Sequence, residues 1–196
     1  MRSILIIACL FFLAACGPRE LQPDTAYECE RCEQWNEPLD PFRIYGNTWY
    51  VGTDGLSSIL IETDDGLVLL DGGLPQSAPL IVANIRTLGF DPHDIRVILV
   101  SHPHFDHAGG VNALQRMANA DVFTASAGVS PLTNGRLEAG DPQFVEGSDD
   151  GRFPPVRNVS AIADGKSVNV GEGAGTAGGT PGPAAGGGRW RGGGGA

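Results

Sequence analysis

The chain has 196 residues, 41% of them hydrophobic and 18% charged, and a formal net charge of −10. That length suits one domain with a sizeable core and little else. The acidic balance argues against nucleic acid or an anionic membrane surface as partner, which leaves a small-molecule ligand as the default.

The N-terminus reads as a processing signal, assigned to residues 1–15. Arg2 supplies a short positive region, residues 4–13 an apolar stretch too short to span a bilayer, and Leu13-Ala14-Ala15-Cys16 a small-residue cleavage site ending in cysteine. Such an ending resembles the lipobox of bacterial lipoproteins, in which Cys16 is lipidated and anchors the protein to the membrane; an ordinary secretory signal with an incidental cysteine is the alternative. On either reading the mature chain is exported, with the periplasm as its expected location. Residues 16–41 form a polar N-terminal extension holding Cys29 and Cys32. No second ligand pair lies nearby for structural zinc, and the setting is not the strand-to-helix turn of a redox pair. In an oxidising compartment a local Cys29–Cys32 disulfide is the expectation.

Residues 42–53 (FRIYGNTWYVGT) predict a β-hairpin about Gly46-Asn47, and residues 58–62 and 67–70 a second one across Asp64-Asp65-Gly66. Ser77 can cap a helix running to about residue 88, with Leu80, Ile81, Ile85 and Leu88 on one face and Gly89 as the stop. Residues 95–100 (IRVILV) are an almost unbroken apolar run, as expected of a strand covered on both faces. A histidine cluster follows at once, then Gly109-Gly110, a helix at 111–118 and a strand at 121–126. Residues 128–155 predict a long loop with one short helix, and 159–170 a last hairpin turning at Asp164-Gly165. This order implies a mixed sheet with helices packed on it, a domain over residues 42–172.

From residue 173 the composition is almost wholly Gly, Ala, Pro and Arg, without Leu, Ile, Val or Phe. Such a segment cannot bury apolar surface, so residues 173–196 are expected to be disordered. It is either a genuine flexible tail or the product of a reading-frame error, since these four residue types share codons that begin with two G or C bases.

The chemistry is concentrated in His102-Pro103-His104-Phe105-Asp106-His107. Three histidines and an aspartate packed just past a buried strand are a poor solvated surface, and metal ligation satisfies them together. Neutral imidazoles and a carboxylate suit zinc. A His-x-His step puts two ligands on one side of an extended loop, leaving Asp106 and His107 free to address a second metal, an arrangement suited to metal-assisted hydrolysis. His93 sits alone in Asp91-Pro92-His93-Asp94 and reads as a surface residue. Asp71, at a strand end before Gly72-Gly73, is either a turn former or a carboxylate placed to hold a histidine ring from behind.

Asp71 after its hairpin, the capped helix, the apolar strand and SHPHFDHAGG resemble the metallo-β-lactamase fold superfamily, an αβ/βα sandwich with its metal site at one sheet edge. CEQWNEPLDPFRIYGNTWYVGT, GLSSILIETDDGLVLLDGGLPQSAPLI and FPPV are similar to the third subclass of metallo-β-lactamases, over roughly residues 29–171. The resemblance implies two zinc ions, His102 and His104 on the first and Asp106 and His107 on the second, with Asp106 also the catalytic carboxylate that orients the attacking water. It implies β-lactam hydrolysis and antibiotic resistance, with another hydrolase of this fold, a thioesterase or lactonase, as the alternative. His107 is shared with the thioesterase-like relatives and is absent from the other two β-lactamase subclasses.

The family supplies each zinc with one further histidine, one of them in a Thr-Pro-Gly-His segment, where this chain reads Gly179-Thr180-Pro181-Gly182-Pro183 and holds only four histidines in all. The expectation is therefore the first half of the sandwich, with one sheet face uncovered and zinc binding and hydrolysis impaired. A non-catalytic product of a damaged gene is a third reading.

Overall fold

The computed structural model describes residue 17 and residues 19–163, 166–170, 173–179 and 188–192. Residues 1–15, Cys16 and the Asp164-Gly165 turn lie outside them. Among the described residues no helix is long and apolar enough to cross a membrane.

After a short helix α1 (Cys32–Trp35), four strands run as an antiparallel meander: β1 (Phe42–Tyr45), β2 (Thr48–Tyr50), β3 (Ile59–Thr63) and β4 (Gly66–Leu70). Helix α2 (Ala78–Thr87) then crosses over to β5 (Ile95–Leu99), which pairs with β4 in parallel. Helices α3 (Phe105–Ala108) and α4 (Val111–Ala118) lead to β6 (Asp121–Ala125), and α5 (Val129–Asn134) with a long loop leads to β7 (Val159–Ile162), both strands again parallel to their neighbours. The resulting sheet has the order β1-β2-β3-β4-β5-β6-β7. A sequence that switches from hairpins to strand–helix–strand units gives a sheet that switches from antiparallel to parallel, because only a crossover can bring a parallel strand alongside.

The inner face of the sheet carries Leu60, Leu69, Ile98, Val100 and Val122, all with no exposed surface, packed against Ile81 and Ile85 of α2 and Leu114 of α4. β5 is buried at every position but Arg96, so its apolar run does serve two covered faces. Ser77 does not cap α2: it closes a 3-10 turn (Pro75–Ser77), accepting from Leu74 N at 3.1 Å and donating to Asn36 Oδ1 at 2.6 Å, which ties the N-terminal extension to the helix start.

Two further expectations are corrected. Residues 159–170 are not a hairpin: β7 joins the large sheet beside β6, whereas β8 (Ser167–Val170) belongs to a second, three-stranded sheet. The outer face of the large sheet is accordingly not bare. Val68, Val97 and Leu99 are buried together with Val170, and Val168 packs against them, so the apolar alternation of β8 is used to cover this face rather than to pair with β7. Within the Gly-rich segment the described residues form β9 (Gly173–Gly179) and β10 (Gly188–Gly192), antiparallel to each other, with β9 antiparallel to β8. Backbone ladders need no apolar side chain, and β8 supplies an edge for one to grow on.

The join between sheet and helices leaves no room for side chains at Gly72 and Gly110. Gly72 N donates to His107 O at 2.8 Å and Gly110 N to Gly73 O at 3.2 Å, and a Cβ on Gly110 would stand 2.3 Å from Gly72 O. The obstacle is backbone and cannot rotate away. Gly110→Ala is expected to cost at least about 1–3 kcal/mol, the usual range for overpacking, read as a lower urea midpoint at unchanged slope; an unchanged midpoint would show that the two loops have freedom to separate.

Candidate metal centre

β4 and β5 end side by side, and their next residues build the site. Asp71 N donates to Leu99 O at 2.9 Å, continuing the ladder by one rung. Asp71 then turns the chain with φ of 62°, in the left-handed region that aspartate tolerates better than most residues. Its buried carboxylate faces the loop leaving β5: Oδ1 accepts from Ser101 N and Oδ2 from Ser101 Oγ, each at 2.7 Å, and Oδ2 lies 2.9 Å from His107 Nδ1.

His102, Pro103 and His104 follow in extended chain, and His104 opens the four-residue α3, its carbonyl accepting from His107 N at 3.0 Å and Ala108 N at 2.8 Å. One turn of helix thereby folds Asp106 and His107 back toward His102. The His102 ring centroid is 4.7 Å from that of His104 and 3.9 Å from that of His107. His102, His104 and Asp106 each offer one ligand atom, all within 4.8 Å of one another, and could hold a metal ion. His107 adjoins them, with Nε2 3.6 Å from Asp106 Oδ2. All four residues singled out in the sequence therefore come together, with Asp71 behind them.

The donor set fits a metal. Carboxylates only accept, so the nitrogen facing one carries the proton and the other ring nitrogen keeps its lone pair. His107 Nδ1 faces Asp71 and His104 Nε2 lies 3.0 Å from Asp141 Oδ2. His102 Nδ1 lies 3.0 Å from Ser101 Oγ, whose own hydrogen goes to Asp71, so the hydroxyl accepts from the ring. The nitrogens left bare are His102 Nε2, His104 Nδ1 and His107 Nε2. Burial, then the neighbouring His107 and His104, lowers the His102 pKa from 6.5 to about 4, so this ring is neutral and ready to ligate across the physiological range. Burial also presses on His107, but the hydrogen bond and charge of Asp71, with Asp106, outweigh it and leave its pKa raised.

Two contributors were not singled out in the sequence. Ser101 had only its place between strand and cluster as a signal. Asp141 lies 37 residues beyond His104 in a loop without periodicity, and nothing local connects the two.

The N-terminal extension also reaches the site. Cys29 and Cys32 are joined as a disulfide, and Cys32 is buried with Leu56 and Leu74 in a cluster that includes Tyr27 and Phe105. The Tyr27 ring stacks on Phe105, within the metal motif, at 4.2 Å. Asp24 bonds Asn112 at 3.0 Å and Arg116 at 2.9 Å on α4.

The sequence matches the metallo-beta-lactamase superfamily over residues 51–195, and the chain belongs to that family. Among solved structures it is similar to Rm3 metallo-beta-lactamase, with 45% identity and a TM-score of 0.79, covering 85% of this chain and 61% of that one. It is similar also to MEM-A1, a subclass B3 metallo-beta-lactamase isolated from a soil metagenome library, with 46% identity and a TM-score of 0.76 over 81% of this chain and 59% of that one. An N-acyl homoserine lactonase of Bacillus sp. is 34% identical over 77 residues, 28% of this chain and 31% of the lactonase. The chain thus spans about three-fifths of the solved structures' length and under a third of the lactonase.

His93 stands apart from the cluster, with Nδ1 2.7 Å from Asp91 Oδ1 and Nε2 2.9 Å from Arg19 O. The Arg19 carbonyl first, then Asp91, raises its pKa above 6.5. A raised folded value means that its tie to the extension stabilises fully below about pH 6.5 and is lost as pH rises through the folded value. An NMR titration should place the His93 midpoint above the ordinary value, with hydrogen-exchange protection at residues 19–24 falling over the same interval.

Asp71→Ala leaves Ser101 N–H and His107 Nδ1–H without their acceptor and puts an alanine at a positive φ. A loss of roughly 1–3 kcal/mol in chemical denaturation is expected; a change below about 0.5 kcal/mol, within the range of an ordinary surface substitution, would remove Asp71 from its central place.

Proposed function

We propose that the chain is built as a zinc-dependent hydrolase of β-lactams, with His102 and His104 holding one zinc, and Asp106 and His107 a second. The observation that carries this reading is the convergence of His102, His104 and Asp106 on one small volume at a strand end, in a chain 45% identical to a metallo-beta-lactamase over 85% of its length. Zinc bound there would supply a Lewis acid and bring the pKa of its water down to about 7. The protein's own residues prepare for that: burial keeps His102 neutral, and Asp71 orients the His107 ring. Asp106, half-buried beside His107, is the carboxylate we assign to orienting the attacking water and taking up its proton.

A net charge of −10 fits a soluble small-molecule substrate better than nucleic acid. The signal-like residues 1–15 and Cys16 support export to the periplasm, with a lipid anchor at Cys16. Of the four histidines in the sequence, three are in this cluster and His93 is tied to Arg19, so each zinc has two protein ligands here against the three of a usual catalytic site. We infer that zinc is held weakly and turnover is impaired in this chain. The lactonase likeness over 77 residues favours lactone hydrolysis as the second reading, since one fold hosts several substrates.

The test is zinc content after dialysis and a hydrolysis panel at saturating zinc. The expected outcome is less than full occupancy of two ions, with slow turnover of a chromogenic cephalosporin that exceeds turnover of lactone or thioester and is lost in His102→Ala. Faster lactone turnover would transfer the chain to the second reading, and two tightly held ions with fast cephalosporin turnover would overturn the impairment.

A further inference from the structure

We propose that Asp141 is a positioning residue of the metal centre: it holds His104 as the Nε2–H tautomer and so presents Nδ1 to the ion. The inference rests on the metal reading above and adds to it a residue from a distant loop.

The contact is direct and buried. Asp141 Oδ2 lies 3.0 Å from His104 Nε2, with 3% and 8% of the two side chains exposed. A carboxylate taken that far out of water is stable only with donors on both oxygens. Here Oδ1 accepts from Gln143 N at 2.9 Å and Oδ2 faces the imidazole. Its backbone is equally fixed, with Asp141 N donating to Glu138 O at 3.1 Å and Phe144 N to Asp141 O at 3.0 Å. This turn therefore has one side-chain orientation to offer, and it is aimed at His104.

His104 is held from the other side by its own backbone, whose carbonyl starts α3. With the main chain fixed, the remaining freedoms are ring rotation and tautomer. A flip of the ring would turn Nε2 toward the metal volume and leave the buried carboxylate against a carbon edge. The alternative tautomer would set a lone pair against a carboxylate oxygen. Both are costly, so one ring pose survives, and in it only Nδ1 has a free lone pair. His102 and His107 are held through Nδ1 instead, by Ser101 and Asp71. His104, held through Nε2, takes its partner from a different segment of the chain. The loop between α5 and β7 provides it.

The experiment uses the full chain, stripped of metal by a chelator, with long-range proton–nitrogen NMR on the histidine rings, followed by zinc titration in competition with a chromophoric chelator. Wild type should show His104 protonated at Nε2. In Asp141→Ala that single form should give way to a mixture, and zinc affinity should fall by about 10–100-fold. Asp141→Asn keeps an acceptor oxygen and should recover most of both effects, with circular dichroism confirming that each variant is folded. Wild-type His104 protonated at Nδ1, or an Asp141→Ala variant with unchanged tautomer and affinity, overturns the inference. A wild-type chain that takes up no zinc while His104 is still the Nε2–H form overturns the metal reading alone, so the two failures are told apart.

Discussion

The carboxylate of Asp71 is where sheet, loop and cluster are joined. It sits one residue past β4, takes both the amide and the hydroxyl of Ser101 two residues past β5, and faces His107 in the short helix α3. A left-handed backbone at a non-glycine residue costs on the order of 1–3 kcal/mol, and it persists at Asp71 because three donors converge on the side chain which that backbone aims. Removing any one of these partners leaves a buried polar group without its complement. The strand ends, the loop and the helix therefore have to form together, which is how a four-residue helix too short to be stable alone acquires a fixed place.

That junction also explains why the ligands lie where they do. In a parallel pair, both strands present their carboxyl ends on the same side, and the loops leaving them are neighbours without any further design. β4 and β5 are the first parallel pair in the sheet, flanked by the antiparallel meander on one side and parallel β6 on the other. Asp71 and the histidine loop are 30 residues apart in sequence yet adjoin because α2 returns the chain to the same edge. The close approach at Gly72 and Gly110 then seats the start of α4 directly against the turn.

Much of this was legible in the sequence for a definite reason: the signals were local. The apolar run of β5, the spacing of His102, His104, Asp106 and His107, and the turn residues after β1 and β3 each depend on neighbours a few positions away. The misread parts depend on distant partners. Residues 159–170 carry a good hairpin pattern, but alternation says only that a strand has an apolar face, not which sheet it joins, and β8 buries Val170 against Val68, Val97 and Leu99 instead of pairing with β7. Composition speaks to side-chain burial and not to backbone pairing, and the Gly-rich stretch holds the strands β9 and β10. Ser77 has the right identity for a cap and the right position, yet its oxygen accepts from Leu74 N, the amide before the 3-10 turn, instead of from an amide of α2.

Orientation of the ligands was the least legible feature, and it is the one on which metal chemistry turns. A histidine motif specifies which residues converge; it does not specify which nitrogen each one offers. That choice is made by Ser101, Asp71 and Asp141, lying next to the cluster in sequence, upstream of it and downstream of it. Two of the rings are held through Nδ1 by the linked pair Ser101 and Asp71, and the third through Nε2 by Asp141, so two separate segments of the chain share the task. The orientation of each ligand is thus set by the protein's own hydrogen bonds, and the cluster is ordered before any ion arrives.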